Sequence, residues 1–187
     1  MNYHSVAEIY EAIDDTRKRL LARLADLNAE QQNFRPADDV WCAADIAEHL
    51  SITEGQIVKL MNKLLAKADS NAATDTTDSG DANTAQTPPA FPFTLDHFAE
   101  KVRDIKINAP ESVRPCGTIP LADSLAKLRE SRAALHALRP RLEAADLSAV
   151  LFPHPAFGPI NAYQWLAVTG LHEARHLKQL ERLLKDE

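Results

Sequence analysis

Along this chain apolar residues return every three or four positions in four long stretches, and between them the rhythm is lost. From about Ser5 to Leu27 the residues Val6, Ile9, Ile13, Leu20, Leu24 and Leu27 form one stripe at helical spacing, and Ser5 with Glu8 reads as a capping box. The segment from Asn33 to Val40 is polar and holds Pro36, so a turn is predicted before a second helix opens near Trp41 and Cys42. On that helix Ile46, His49, Leu50, Thr53, Ile57, Leu60 and Leu64 share a face, which points His49 inward. A third helix is predicted from about Ala122 to Ala144 on Leu125, Leu128, Ala133, Leu135, Leu138 and Leu142, with Pro140 ending or kinking it. The last, from about Asn161 to Lys185, carries Trp165, Val168, Thr169, His172, His176, Leu180 and Leu183 on one stripe.

The intervening segments are read by composition. Residues 69–92, beginning DSNAATDTTDSGDANTAQTPP, are small, polar and acidic, with too little apolar surface to offset the entropy of ordering, so a flexible loop is predicted. Between Phe93 and Pro120 a short helix around His97 to Val102 precedes an extended stretch punctuated by prolines, expected to pack across the bundle end. LFPHPAFGPINAYQW reads as a loop broken by proline and glycine. No useful strand alternation is seen. Four amphipathic helices without strands predict an all-α four-helix bundle in one domain, residues 1–187, with a long polar insertion between helices two and three.

Composition narrows the chemistry. At 187 residues and 45% hydrophobic content the chain can bury one sizeable core. A net charge of −6 argues against nucleic acid as partner, and no segment reads as a signal peptide or a membrane span, so no membrane partner and a cytoplasmic location are expected. Two isolated cysteines, Cys42 and Cys116, outside any CxxC pattern, build neither a disulfide framework nor a thiolate zinc cluster. Cys42, near a helix start, is expected to have some thiolate character or to stand in for a serine cap.

The histidines carry the sharpest signal. His172 and His176 are four apart on a helix, about 40° apart around its axis and one turn along it, so both imidazoles can reach one ion. His49, inward on a different helix, is the third candidate ligand. Three imidazoles leave at least one coordination position free and accept Zn²⁺, Ni²⁺, Fe²⁺ or Cu²⁺ alike. The competing reading is a set of core histidines hydrogen-bonded to neighbours. Glu54, Glu173 and Arg175 are candidates for orienting the imidazoles, against the simpler reading of solvated charges. His154, in a loop between prolines, could line a pocket mouth or merely sit in a turn.

The string His172-Glu173-Ala174-Arg175-His176 also matches the HExxH of zinc peptidases. Only eleven residues follow His176, and Gln179 and Arg182 stand where the metzincin extension needs glycine and histidine, so that reading lacks its further ligand.

The stretches FRPADDVWCAADIAEHLSITEG, ESVRPCGTIPLADSLAKLRESRAAL and HPAFGPINAYQWLAVTGLHEARHLKQLERLL resemble the DinB-like, or YfiT-like, superfamily of bacterial helical-bundle proteins, over most of the chain apart from the polar insertion. The resemblance implies that His49, in the EHL element, joins His172 and His176 in holding a metal. It implies either a metal-dependent transferase or hydrolase that activates a low-molecular-weight thiol or water against a small-molecule electrophile, or a non-catalytic metal-binding stress-response module. It also allows a homodimer, since related bundles often pair. Cys42 and the insertion depart from the family's pattern without touching the three ligands.

Overall fold

The structure is a computed structural model and describes residues 2–75, 91–103 and 108–185. Its elements in chain order are β1 (Asn2–Tyr3), α1 (Val6–Ala25), α2 (Ala29–Asn33), α3 (Ala43–Asp75), β2 (Phe93–Thr94), α4 (Asp96–Arg103), a 3₁₀ turn (Glu111–Val113), α5 (Leu121–Ala144), β3 (Leu151–His154), β4 (Gly158–Asn161) and α6 (Ala162–Leu183). The long helices α1, α3, α5 and α6 form a four-helix bundle in which α1 packs on α6 and α5, and α3 packs on α5 and α6.

One layer of charge divides the core. On one side lie Ile9, Ile13, Ile57, Met61, Leu135, Leu142 and Leu166, and on the other Leu20, Leu24, Ile46, Leu50, Leu128, Leu177 and Leu180. Between them each long helix contributes one buried charged residue: Arg17, Glu54, Arg132 and Glu173. Arg17 donates to Glu173 through Nε at 2.8 Å and to the Leu128 carbonyl at 2.7 Å, and pairs with Glu54 at 2.9 Å. Arg132 reaches Glu54 at 2.9 Å, Glu173 at 3.2 Å, Asp14 at 2.9 Å and the Ile13 carbonyl at 2.8 Å. The apolar residues of α1 and α6 cross this layer in one sense along the sequence, and those of α3 and α5 in the other. The connection from α3 to α5 must therefore return along the bundle. Its described parts do so: Phe93 pairs with Tyr3 at one end, while Val113 contacts His49 near the other, so the segment runs lengthwise rather than across an end.

Several elements differ from the sequence reading. Helix α3 continues to Asp75, seven residues into the predicted loop, because nothing between Leu65 and Asp75 breaks a helix and Arg141 pairs with Asp69 at 2.7 Å. Residues 76–90 of that loop lie outside the described residues. Pro140 does not end α5, which runs on to Ala144: the proline is exposed one turn from the helix end, while Leu138 and Leu142 are buried on either side. Ala133 faces solvent, and Ser124 and Arg132 take inward places on α5. The short α2, held by a capping box between Asn28 and Gln31, was not anticipated.

Two small antiparallel ladders replace the expected absence of strands. β1 pairs with β2, and β3 with β4 from Leu151↔Asn161 to His154↔Gly158, where Gly158 takes φ 77°. A two-stranded ribbon is all edge, so its prolines need sacrifice no ladder bond. The ribbon delivers Asn161 as N-cap of α6, with Gln164 returning the bond. Where α6 passes α1, a Cβ at Gly170 would stand 3.0 Å from Ile13 Cγ2, so glycine there permits the close packing.

Candidate metal centre

His49 leaves α3 on its buried face, and His172 and His176 leave α6 one turn apart. Because α3 and α6 are neighbours, the three imidazoles meet. His172 Nε2 stands 3.1 Å from His49 Nε2 and 3.1 Å from His176 Nε2, with the three rings 4.6 to 5.0 Å apart. His49 and His176 are 4% and 3% exposed, and His172 is half-buried. Two of the outer nitrogens are committed: His49 Nδ1 donates to the Val113 carbonyl at 2.7 Å, and His176 Nδ1 donates to Gln179 Oε1 at 2.9 Å. Those bonds fix the tautomers and leave a lone pair on each Nε2 facing inward.

The donor set fits a transition-metal ion. With both flanking Nε2 atoms lacking hydrogen, His172 can offer its one Nε2–H to only one of them, so hydrogen bonding alone leaves the other lone pair without a donor. Nitrogens bound to a common ion at about 2.0–2.1 Å stand about 2.9–3.3 Å apart for right-angled to tetrahedral arrangements. The observed 3.1 Å lies inside that range. Among the described residues no carboxylate or thiol joins these three donors.

The surroundings favour neutral imidazole, the form that ligates. Burial pushes His49 down, holds His172 well below the ordinary range and drives His176 to about 3, with the Arg175 charge adding to the effect on each. These shifts give a pH dependence to the metal-free protein. The unfolded chain protonates near pH 6.5 while the folded imidazoles stay neutral, so stability is present above that pH and is lost as pH falls through it. Glu173 has the opposite sign, its carboxyl raised by burial. Between pH 6.5 and 5 His176 alone is expected to withdraw up to about 2 kcal/mol. Urea midpoints of chelated protein at pH 7, 6 and 5 check this; equal midpoints would contradict it.

Trp41, unremarked in the sequence as a site residue, packs against His49 at 4.9 Å and stacks on His176 at 6.2 Å, forming one wall. Beside His49, Glu48 accepts the amides of Cys116 at 3.0 Å and Gly117 at 3.2 Å, which ties down the segment carrying the Val113 carbonyl. Glu54 and Glu173 do not orient the imidazoles: both are engaged by Arg17 and Arg132 in the bundle's charge layer, and among the described residues Glu173 Oε2 has no partner. Arg175 likewise bonds none of the three rings. Cys42 is buried with its thiol pushed up, contrary to the thiolate character expected of it, and its amide is capped by Asp45 at 3.0 Å. His154 lies on β3 rather than in a turn, its ring between Phe157 and Trp165, and burial lowers it to about 4. An open hollow of about 650 Å³ beside Phe91, Glu143 and Tyr163 contains none of the three histidines. Among the described residues no helix is long and apolar enough to cross a membrane.

A bundle that places three imidazoles on its second and last long helices is the arrangement the sequence resemblance implied, and comparison with known proteins supports the family and the fold. A sequence model of the DinB superfamily matches residues 12–180, and the chain belongs to that superfamily. It is 24% identical over 171 residues to YuaE, an uncharacterized protein of Bacillus subtilis (strain 168), covering 91% of this chain and 93% of that one. Among solved structures it is similar to TT2238, a four-helix bundle protein, with a TM-score of 0.59 and 22% identity over 95% of this chain and 99% of the other.

Proposed function

We propose that this protein binds one divalent transition metal, Zn²⁺, Ni²⁺ or Fe²⁺, through His49, His172 and His176, and works as a metal-dependent transferase or hydrolase on a small-molecule electrophile. The observation that carries the reading is the convergence of three Nε2 atoms, with the Val113 carbonyl and Gln179 fixing the inward lone pairs of His49 and His176. An ion held there supplies Lewis acidity and lowers the pKa of a thiol or water that reaches it. The chain's own part is to hold the imidazoles neutral and oriented and to close one side with Trp41. The half-buried His172 marks the side open to solvent. Three donors leave at least one position for a nucleophile, unlike a closed structural site.

Elemental analysis of protein purified without a metal-affinity tag, paired with a screen of thiol and ester substrates before and after chelation, tests the proposal. Close to one metal per chain is expected, with turnover lost on chelation and regained on adding metal. Turnover undiminished in metal-free protein rejects it. One metal per chain with stabilisation but no turnover supports instead a non-catalytic metal-binding module.

A further inference from the structure

Residues 108–120 lie beside α3 with little of their own to hold them there. Among them only Val113 is buried, and apart from the 3₁₀ turn they form no regular element. Pro110, Pro115 and Pro120 have no backbone N–H to give a ladder. Among the described residues, four hydrogen bonds fasten this strap to side chains of α3 between Glu48 and Gln56. Glu48 accepts the amides of Cys116 and Gly117 at 3.0 and 3.2 Å, and Gln56 donates to the Ser112 carbonyl at 3.2 Å. His49 Nδ1–H donates to the Val113 carbonyl at 2.7 Å. A segment with so few apolar contacts opens locally at small cost, so one bond made stronger or weaker changes how tightly it is held.

The bond from His49 depends on the state of the three imidazoles. In the metal-free protein the His49 proton has two places to sit. It can stay on Nδ1, facing Val113, or move to Nε2, where His172 Nε2 stands 3.1 Å away and accepts it once His172 carries its own proton on Nδ1. The second arrangement sets a bare nitrogen against the Val113 carbonyl and frees the strap. An ion on His49 Nε2 leaves no room for a hydrogen there, so the proton is kept on Nδ1. The cation also polarises the ring, and a charge-assisted hydrogen bond is roughly twice as strong as a neutral one. Resting on the metal-binding reading above, we propose that metal at the three imidazoles tightens residues 109–118 against α3, making this strap the part of the surface that responds to loading of the site. The coupling runs both ways: whatever loosens the strap lowers metal affinity by the same factor.

Full-length protein, stripped by chelation and then given one equivalent of Zn²⁺, is followed by amide hydrogen exchange in NMR spectra. The amides of Val113, Arg114, Cys116 and Gly117 are expected to exchange about fivefold more slowly with Zn²⁺, and those of the β1–β2 pair at the other end of the bundle to change less than about twofold. The His49 Nδ1–H proton should sharpen at low field on loading. Gly117 has φ 76°, where a β-branched side chain is strained, and it is no ligand. Gly117→Val is therefore expected to lower Zn²⁺ affinity about fivefold with helix content unchanged. Should that variant fail to fold, Gly117→Ala applies the same strain with a smaller side chain and decides in its place. Strap exchange equal with and without stoichiometric Zn²⁺, slowing shared equally by the β1–β2 pair, or wild-type Zn²⁺ affinity in the deciding variant overturns the proposal while the metal reading stands. Wild type that takes up no Zn²⁺ overturns both.

Discussion

His49→Ala is expected to weaken metal binding at least about a hundredfold, leaving no stoichiometric metal after purification and no metal-dependent turnover. A structural zinc with four ligands contributes roughly 10–16 kcal/mol, so one ligand of three carries about 3 kcal/mol or more. The helix content should hardly change, since His49 sits inside α3, beyond its first turn, and alanine favours a helix. The metal-free variant should even resist acid better, having lost one buried imidazole that must stay neutral. Calorimetric titration with Zn²⁺ and far-ultraviolet dichroism read the two effects separately. Zn²⁺ affinity within about threefold of wild type would remove His49 from the ligand set.

The largest loss of stability is expected away from that centre. Arg17→Met leaves Arg132 as the one arginine shared by Glu173 and Glu54, takes one donor from the Leu128 carbonyl and keeps two buried carboxylates in an apolar core. Breaking a buried pair on one side costs about 3–5 kcal/mol, a large part of the stability of a domain this size. Adding Glu173→Gln should recover part of it, because the buried negative charge goes with it and its Oε2 already lacks a partner. Urea denaturation of the two variants checks both statements. A loss below about 1 kcal/mol for Arg17→Met would mean that the layer contributes nothing to stability.

The four helices and the three histidines were legible because both follow from periodicity. His49 shares the stripe of Ile46, Leu50 and Ile57, and the four-residue step between His172 and His176 is a property of any helix. The charge layer was hidden for the same reason: Arg17, Glu54, Arg132 and Glu173 occupy inward positions, but a charge at such a position reads as a gap in the apolar pattern until its partner on another helix is known. Glu173 thus read either as a candidate partner of the histidines beside it in sequence or as a solvated charge, although its side chain points into the core. The β3–β4 ribbon was hidden by its prolines, and the return path of the segment before α5 by its lack of rhythm. Trp41 gave a usable signal, an aromatic residue just before the helix that bears His49, whereas Val113 gave none because its contribution is a carbonyl.

That last contact has an evolutionary corollary. A peptide oxygen belongs to every amino acid, so residue 113 can drift in sequence without disarming the ring that leans on it. What selection must preserve is the path of the main chain. That path depends on the carboxylate of Glu48, which grips the amides of Cys116 and Gly117, and on the turn from Glu111 to Val113. Inherited damage to the centre should therefore arise as readily from proline insertions near position 113, or from loss of Glu48, as from replacement of any histidine.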